Sequence, residues 1–287
     1  MTAFTLGCDP EVFVRDAAGN LVTAHGLIPG DKKKPHKVSL GAIQVDGMAL
    51  EFNIDPVPAA DFEAFNKGII TVVNGLKKAM PAGHTIVVDP SVTFDAEYYA
   101  AVPEEAKELG CDPDFCAYTE DMYEPNPRPD GPPGLRSAAG HIHIGWGADI
   151  PVENPEHVEI CRNVIKNLDC FVGLGMICID DDAERRKIYG KAGAYRPKPY
   201  GVEYRTPSNV WLRSKGARRF IHTLVNTCLR DMQKGGSAAF LRLNEAGYDV
   251  QAIINAGDAE TAEKLLRDFY YITVPAAIKA IYAKAAD

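Results

Sequence analysis

The residues best suited to chemistry lie in Tyr189–Asn209, YGKAGAYRPKPYGVEYRTPSN. Four cations (Lys191, Arg196, Lys198, Arg205), one acid (Glu203) and three glycines fall within these 21 positions. Glycines let a backbone come close to a ligand, while guanidinium and ammonium groups suit phosphates and carboxylates. Gly201–Arg205 reads as a strand, which puts Glu203 and Arg205 on one face. An acid able to hold a metal beside an anion-binding guanidinium is what phosphoryl transfer needs. A basic surface loop followed by an edge strand accounts for the same residues, so other segments must decide.

Three more strand-like segments place polar residues on one face. Asp9 and Glu11 share a face of GCDPEVF if it is extended, Glu51 and Asn53 share one in ALEFNI, and His141 and His143 face away from the isoleucines in GHIHIG. Each alone fits a solvent-facing strand. Together, four acids, two histidines and an arginine are expected along one side of one sheet, where the carboxylates would repel unless a cation joined them. Carboxylates outnumber imidazoles and no cysteine has ligand spacing, which favours Mg²⁺ or Mn²⁺ over Zn²⁺. Neither G-x-x-x-x-G-K-[ST] nor a strand followed by G-x-G-x-x-G occurs. ATP would therefore be held by metals on a sheet, with lysines and arginines from loops around it.

The elements that must position these residues follow from periodicity and turn chemistry. Glu11–Arg15, Ser39–Val45, Met48–Ile54, His84–Val88 and Gly140–Trp146 read as strands, with Asp46-Gly47 as a hairpin turn. Ala59–Met80, Asn154 to about Cys178, Ser214–Lys234, Asp258–Tyr271 and Pro275–Ala285 read as helices. The fold class expected is α+β, an antiparallel sheet with helices packed on one face, in a single domain over 1–287 with a helical part from about 236. Tyr123–Leu135, with five prolines and two glycines, reads as an exposed loop, either a substrate lid or a linker. Asp31–Lys37 (DKKKPHK) reads as a clamp for an anionic substrate or as a solvated loop.

A net charge of −8 argues against a general nucleic-acid binder while leaving room for a local basic pocket. Seven cysteines at irregular spacings, with no C-x-x-C pair, suggest reduced thiols. No apolar run reaches the roughly 18 residues of a membrane span, and the N-terminus lacks a signal-peptide pattern. A soluble cytoplasmic protein is expected.

GCDPEVFV, DGMALEFN, GHIHIG and YGKAGAYRPKPYGVEYRTPSN, spread in order from residue 7 to 209, resemble carboxylate–amine ligases with the glutamine synthetase catalytic fold. The branch they are most similar to is the phage-type amidoligases, the COOH.NH2 ligases of type 2; the tail after about 235 carries none of the resemblance. The resemblance implies that Asp9 and Glu11 serve two adjacent metal sites, that Glu51 is a further acid for one, and that His141 and Glu203 are ligands of the other. It implies His143 as a contact to ATP phosphate or sugar, Arg205 as the arginine meeting the transferred phosphate, and Arg196 as a second phosphate-side arginine. Lys191 is placed with the ATP contacts as part of the same motif. Asp9 is shorter than the family's Glu, and the glutamate pocket has no counterpart here.

The expected activity is then an ATP- and Mg²⁺-dependent ligase, joining a small-molecule or peptide carboxylate to an amine through an acyl phosphate. The expected location is the cytoplasm, the host's if the chain is phage-encoded. A modified nucleobase stays open as substrate, and no membrane partner is expected. Two alternatives remain: a metal-dependent hydrolase built on His141 and His143, and a non-catalytic ATP-binding relative.

Overall fold

The computed structural model describes residues 4–107, 114–119, 133–147, 149–235 and 238–283. Its strands, in chain order, are β1 Thr5–Cys8, β2 Glu11–Arg15, β3 Leu21–Val22, β4 His36–Val38, β5 Gly41–Asp46, β6 Ala49–Ile54, β7 Val57–Pro58, β8 Thr85–Val87, β9 Ser91–Thr93, β10 Phe115–Cys116, β11 Leu135–Ser137, β12 Ile142–Gly145, β13 Ala194–Lys198 and β14 Gly201–Tyr204. The helices are α1 Phe62–Ala79, α2 Ala96–Ala101, α3 Glu104–Lys107, α4 Pro155–Leu168, α5 Leu174–Ile177, α6 Ala183–Ile188, α7 Lys215–Gln233, α8 Ala239–Glu245, α9 Val250–Ala256, α10 Ala259–Tyr270 and α11 Ala276–Ala283. Residues 123–132 of the proline-rich stretch lie outside the described residues.

The strands form two main antiparallel sheets rather than the single sheet expected. One runs β10-β13-β14-β12-β1-β7; the other runs β3-β2-β6-β5-β4, with β8 also on β2. The division occurs at Asp9-Pro10. Proline lacks an amide hydrogen and forces its predecessor out of regular pairing, so the chain leaves the first sheet and enters the second there. The seam is still bonded: Glu11 N donates to Ala139 O at 2.8 Å, and Phe52 N donates to Pro10 O at 3.2 Å.

Alternation then sorts the side chains. Leu6, Ile142, Ile144, Val202 and Tyr204 of the first sheet share the main core with Val164, Ile165 and Leu168 of α4. Val12, Val14, Leu50, Phe52 and Ile54 of the second sheet join that core with Phe65, Ile69, Val72 and Leu76 of α1. Each such side chain contributes about 1.5–3 kcal/mol on full burial. The long helices begin at side-chain caps, Asp61 Oδ1 accepting from Ala64 N, Asn154 from Glu156 N and Ser214 from Ala217 N.

The helices do not all lie on one face. Phe13, pointing opposite to Val12 and Val14, packs with Phe94, Val102 and Ala106 in a second core, so the α2–α3 segment covers the other side of the second sheet. The helix expected to about Cys178 is interrupted by a π-helical turn at Asp169–Gly173. No described helix is long and apolar enough to cross a membrane.

Candidate active site

The faces left free of aliphatic packing carry the polar residues, and the antiparallel register aligns them. In the first sheet Gly7 lies opposite His143, His143 opposite Glu203, and Glu203 opposite Arg196. In the second, Glu11 lies opposite Glu51, and Glu51 opposite Gln44. Asp9, at the seam, turns toward the first sheet.

Two acidic groups result. Asp9, His143 and Glu203 offer ligand atoms within 4.8 Å of one another, and so do Glu11, Asp46 and Glu51. In the first group His143 Nε2 lies 2.9 Å from Asp9 Oδ1, and His141 Nδ1 lies 3.3 Å from that oxygen and 3.5 Å from Glu203 Oε1. Both histidines therefore reach the same acids, with His143 placed as well for a metal as His141. Tyr189 OH lies 2.9 Å from His141 Nε2, and Tyr200 OH is hydrogen-bonded to His143 Nδ1.

Cations close the first group on its far side. Arg205, buried beneath the strand end, contacts Glu203, Asp114 and the Tyr189 hydroxyl. Lys198 Nζ lies 2.6 Å from Glu203 Oε2 and Arg196 Nε 3.8 Å from Asp114 Oδ1. Lys191 sits in the turn before β13, where its carbonyl accepts from Thr206 Oγ1 at 2.9 Å. Asp114 and Glu203 thus meet Arg196, Lys198 and Arg205, while Asp9 meets the two histidines. The second group is not balanced: Glu11, Asp46 and Glu51 have Lys32, 2.8 Å from Asp46 Oδ2.

The acidities follow this partition. Burial works to raise Asp9, but His143 and His141 outweigh it and hold the carboxyl well below the usual range. Burial and Asp9 also oppose ionisation of Glu203; Arg205 with the two histidines brings it down to about 2. Burial and Asp46 push Glu11 up to about 7, and burial with Asp9 and Glu11 raises Glu51. Burial followed by Arg205 lowers His141, whereas Asp9 overcomes burial to raise His143.

Among the described residues Lys32 is the ammonium at the Glu11–Asp46–Glu51 group, and the crowded carboxylates oppose one another's ionisation, which a divalent cation would relieve. The donors in that group are all oxygens, the set suited to Mg²⁺ or Mn²⁺. Beside both groups opens a cavity of about 400 Å³ lined by Asp9, Glu51, Asn53, Ile54, His143 and Tyr200 among others, with neither lysine nor arginine among the described residues of its wall.

The last motif also braces the site. Trp211 Nε1 donates to Gly140 O and Asn209 Nδ2 donates to Glu11 O at 2.9 Å, tying both sheets to the segment after Arg205. A side chain at Gly140 would collide with Ser208 and Trp211, which accounts for the glycine that opens GHIHIG. Sequence reasoning missed Asp46, read only as a hairpin-turn residue; Asp114, whose isolated position carries no pattern; and Tyr189, which opens the Tyr189–Asn209 segment but was given no role. It also missed β13, because Pro197 and the neighbouring glycines mask the alternation.

Residues 137–270 match the family described as phage phiEco32-like COOH.NH2 ligase-type 2. This is the ligase family whose motifs the sequence resembles. The match contains GHIHIG and the Tyr189–Asn209 segment and runs on through α8, α9 and α10. The expectation that the tail after about 235 takes no part in the resemblance is thereby corrected: those helices pack into the main core through Leu243, Ile254 and Leu265 and are part of the matched unit. GCDPEVFV and DGMALEFN precede the match. No curated protein matches the sequence. Among solved structures, a bifunctional glutathione synthetase from Pasteurella multocida is similar at a TM-score of 0.46 and 12% identity, over 99% of this chain and 51% of that one. The chain thus spans about half that protein's length.

Proposed function

We propose that the chain is an ATP- and Mg²⁺-dependent ligase that joins a carboxylate to an amine, acting as one catalytic domain with a glutamine synthetase-like arrangement over 1–287. The observation that carries this reading is the pair of adjacent acidic groups, one with Arg196, Lys198 and Arg205 beside it and the other with Lys32 on Asp46. The ligase family match supports it and gives no support to a hydrolase built on His141 and His143.

Glu11, Asp46 and Glu51 would hold one divalent ion, and Asp9, Glu203 and a histidine a second. Bound there, the metals would neutralise phosphate oxygens and orient them. The cavity beside Tyr200 and Asn53, whose described wall holds no lysine or arginine, suits an uncharged nucleoside, whose phosphates would be directed toward the acids and the cations beyond them. In this reading Arg205, which contacts Glu203, Asp114 and Tyr189, would meet charge on the transferred phosphoryl group, with Arg196 and Lys191 as supporting contacts. The γ-phosphoryl group passes to the substrate carboxylate with release of ADP. The amine then attacks the acyl carbon, phosphate leaves, and the amine's proton is lost to a neighbouring base. Holding the reactants in line and stabilising charge provide most of the acceleration.

The test supplies ATP, Mg²⁺ and a panel of carboxylates labelled with oxygen-18, with hydroxylamine as a general amine. Transfer of label into phosphate together with a hydroxamate product is expected. Folded protein that yields neither ADP nor hydroxamate with any acid would refute the ligase, and undiminished turnover in Glu203→Gln would refute the site.

A further inference from the structure

The lysine-rich turn Asp31–Lys37 has no part in the ligase reading above, yet it delivers a side chain to the group that lacks positive charge. Its backbone is fixed. Asp31 Oδ1 accepts from Lys33 N and Lys34 N at 2.8 Å each, and Val45 N donates to Gly30 O at 3.1 Å beside Asp46. Gly30 has φ +96°, and a side chain there would come within 2.6 Å of His36 N. Lys32 therefore leaves a rigid turn at a set point, while 42% of its side chain stays exposed. A fixed base with a solvated four-carbon arm is a part that can change partners at little cost.

We propose that Lys32 is a built-in counter-cation of the Glu11–Asp46–Glu51 group: it sits on Asp46 when no metal is bound, is displaced by an entering divalent cation, and then meets the phosphates that accompany the metal. The inference rests on the metal-dependent ligase reading. An ammonium and a divalent ion cannot share the same carboxylate oxygens without strong repulsion. The displaced arm remains anchored beside the site, where a polyphosphate is the anion it can reach. Lys33 and Lys34, exposed on the same turn, add to the positive field there. No bond is made or broken; one cation replaces another.

The experiment titrates Mn²⁺ into nucleotide-free protein and follows free Mn²⁺ by electron paramagnetic resonance, comparing wild type, Lys32→Met and Lys32→Arg. Methionine keeps the stem and removes the charge. The methionine variant is expected to bind Mn²⁺ about fivefold tighter, the scale of one lost half-exposed ion pair, and the arginine variant to return to the wild-type value. In saturating Mn²⁺, Lys32→Met is expected to bind a non-hydrolysable ATP analogue several-fold more weakly. A merely structural lysine would weaken both. Equal or weaker Mn²⁺ binding by Lys32→Met overturns the exchange and leaves the ligase reading standing. Absence of Mn²⁺ binding in all three proteins overturns the metal reading and the exchange together.

Discussion

Removing divalent metal should make the fold less stable as pH rises, and restoring it should reverse most of that loss. Glu11 is the reason. Burial and the neighbouring Asp46 hold its carboxyl at about 7, against an ordinary value of 4.5. Below about pH 4.5 the folded and unfolded chains both carry the proton. Between there and about pH 7 the unfolded chain has released it and the folded chain has not, so the unfolded state binds fewer protons and stability falls. At about 1.4 kcal/mol per pH unit the loss is about 3 kcal/mol and is complete above about pH 7. Asp169, raised to about 7 by burial, adds a loss of the same sign, but it lies behind β14 against Tyr204, where the proposed metals do not reach.

Between about pH 5 and about pH 8 the Glu11 loss is about 2.5 kcal/mol, which at roughly 2 °C per kcal/mol for a chain of this size should lower the melting temperature by about 5 °C. Mg²⁺ at about a hundred times its Kd should restore about 2.7 kcal/mol at the higher pH and little at the lower, where it must displace a proton. Calorimetry in EDTA and in Mg²⁺ across that range reads both effects. Glu11→Gln should flatten the metal-free slope and abolish most of the Mg²⁺ shift. An Mg²⁺ shift as large at about pH 5 as at about pH 8 would falsify the assignment of this group to metal.

Two further outcomes follow from the same geometry. Arg205→Lys should lower turnover by roughly 10²–10³, the scale of one lost charge-stabilising donor, because an ammonium cannot span Glu203, Asp114 and Tyr189 together; steady-state kinetics with a parallel ATP-binding titration separates this from loss of binding, which should change little. Gly190→Ala should destabilise by about 2–3 kcal/mol in urea unfolding, since Gly190 has φ +75° and an added methyl would lie 2.5 Å from Arg185 Nη1 and 2.8 Å from Thr206 O; unchanged stability would show that this turn can relax.

Much of the scaffold was legible because local rules fixed it. The β2 strand, the hairpin at Asp46-Gly47 and helices α1, α4 and α7 arise from alternation, turn chemistry and caps within their own segments. Glu11, Glu51, His143 and Glu203 could be picked out because each sits opposite an aliphatic run. Which acids share a group was not legible, since that depends on how strands far apart in sequence pair and on the seam that parts two sheets. Asp46 illustrates the limit: its sequence context calls for a turn, and only the pairing of Gln44 with Glu51 brings its carboxylate to Glu11 and Glu51. Helices α8 and α9 fall in the part from about 236 expected to be helical, but their bounds were not legible because each is 7 residues long and too short to display a period.

The seam at Asp9-Pro10 explains why two acids two residues apart behave oppositely. In an unbroken strand Asp9 and Glu11 would point the same way about 7 Å apart, share their neighbours and shift in the same direction. The break separates them. Asp9 turns to His141, His143 and the cationic wall, and is held ionised. Glu11 enters the second sheet opposite Glu51, near Asp46, and its carboxyl is pushed up to about 7. Ala139 N donates to Glu11 Oε2 at 2.9 Å and Asn209 to Glu11 O, so the carboxylate is fixed where its charge is least welcome without a metal. A site whose only purpose was stability would put a neutral or apolar side chain there, because a buried acid without a cation costs free energy at neutral pH. A divalent cation at Glu11, Asp46 and Glu51 would remove that cost by drawing the raised carboxyls of Glu11 and Glu51 into their ionised forms.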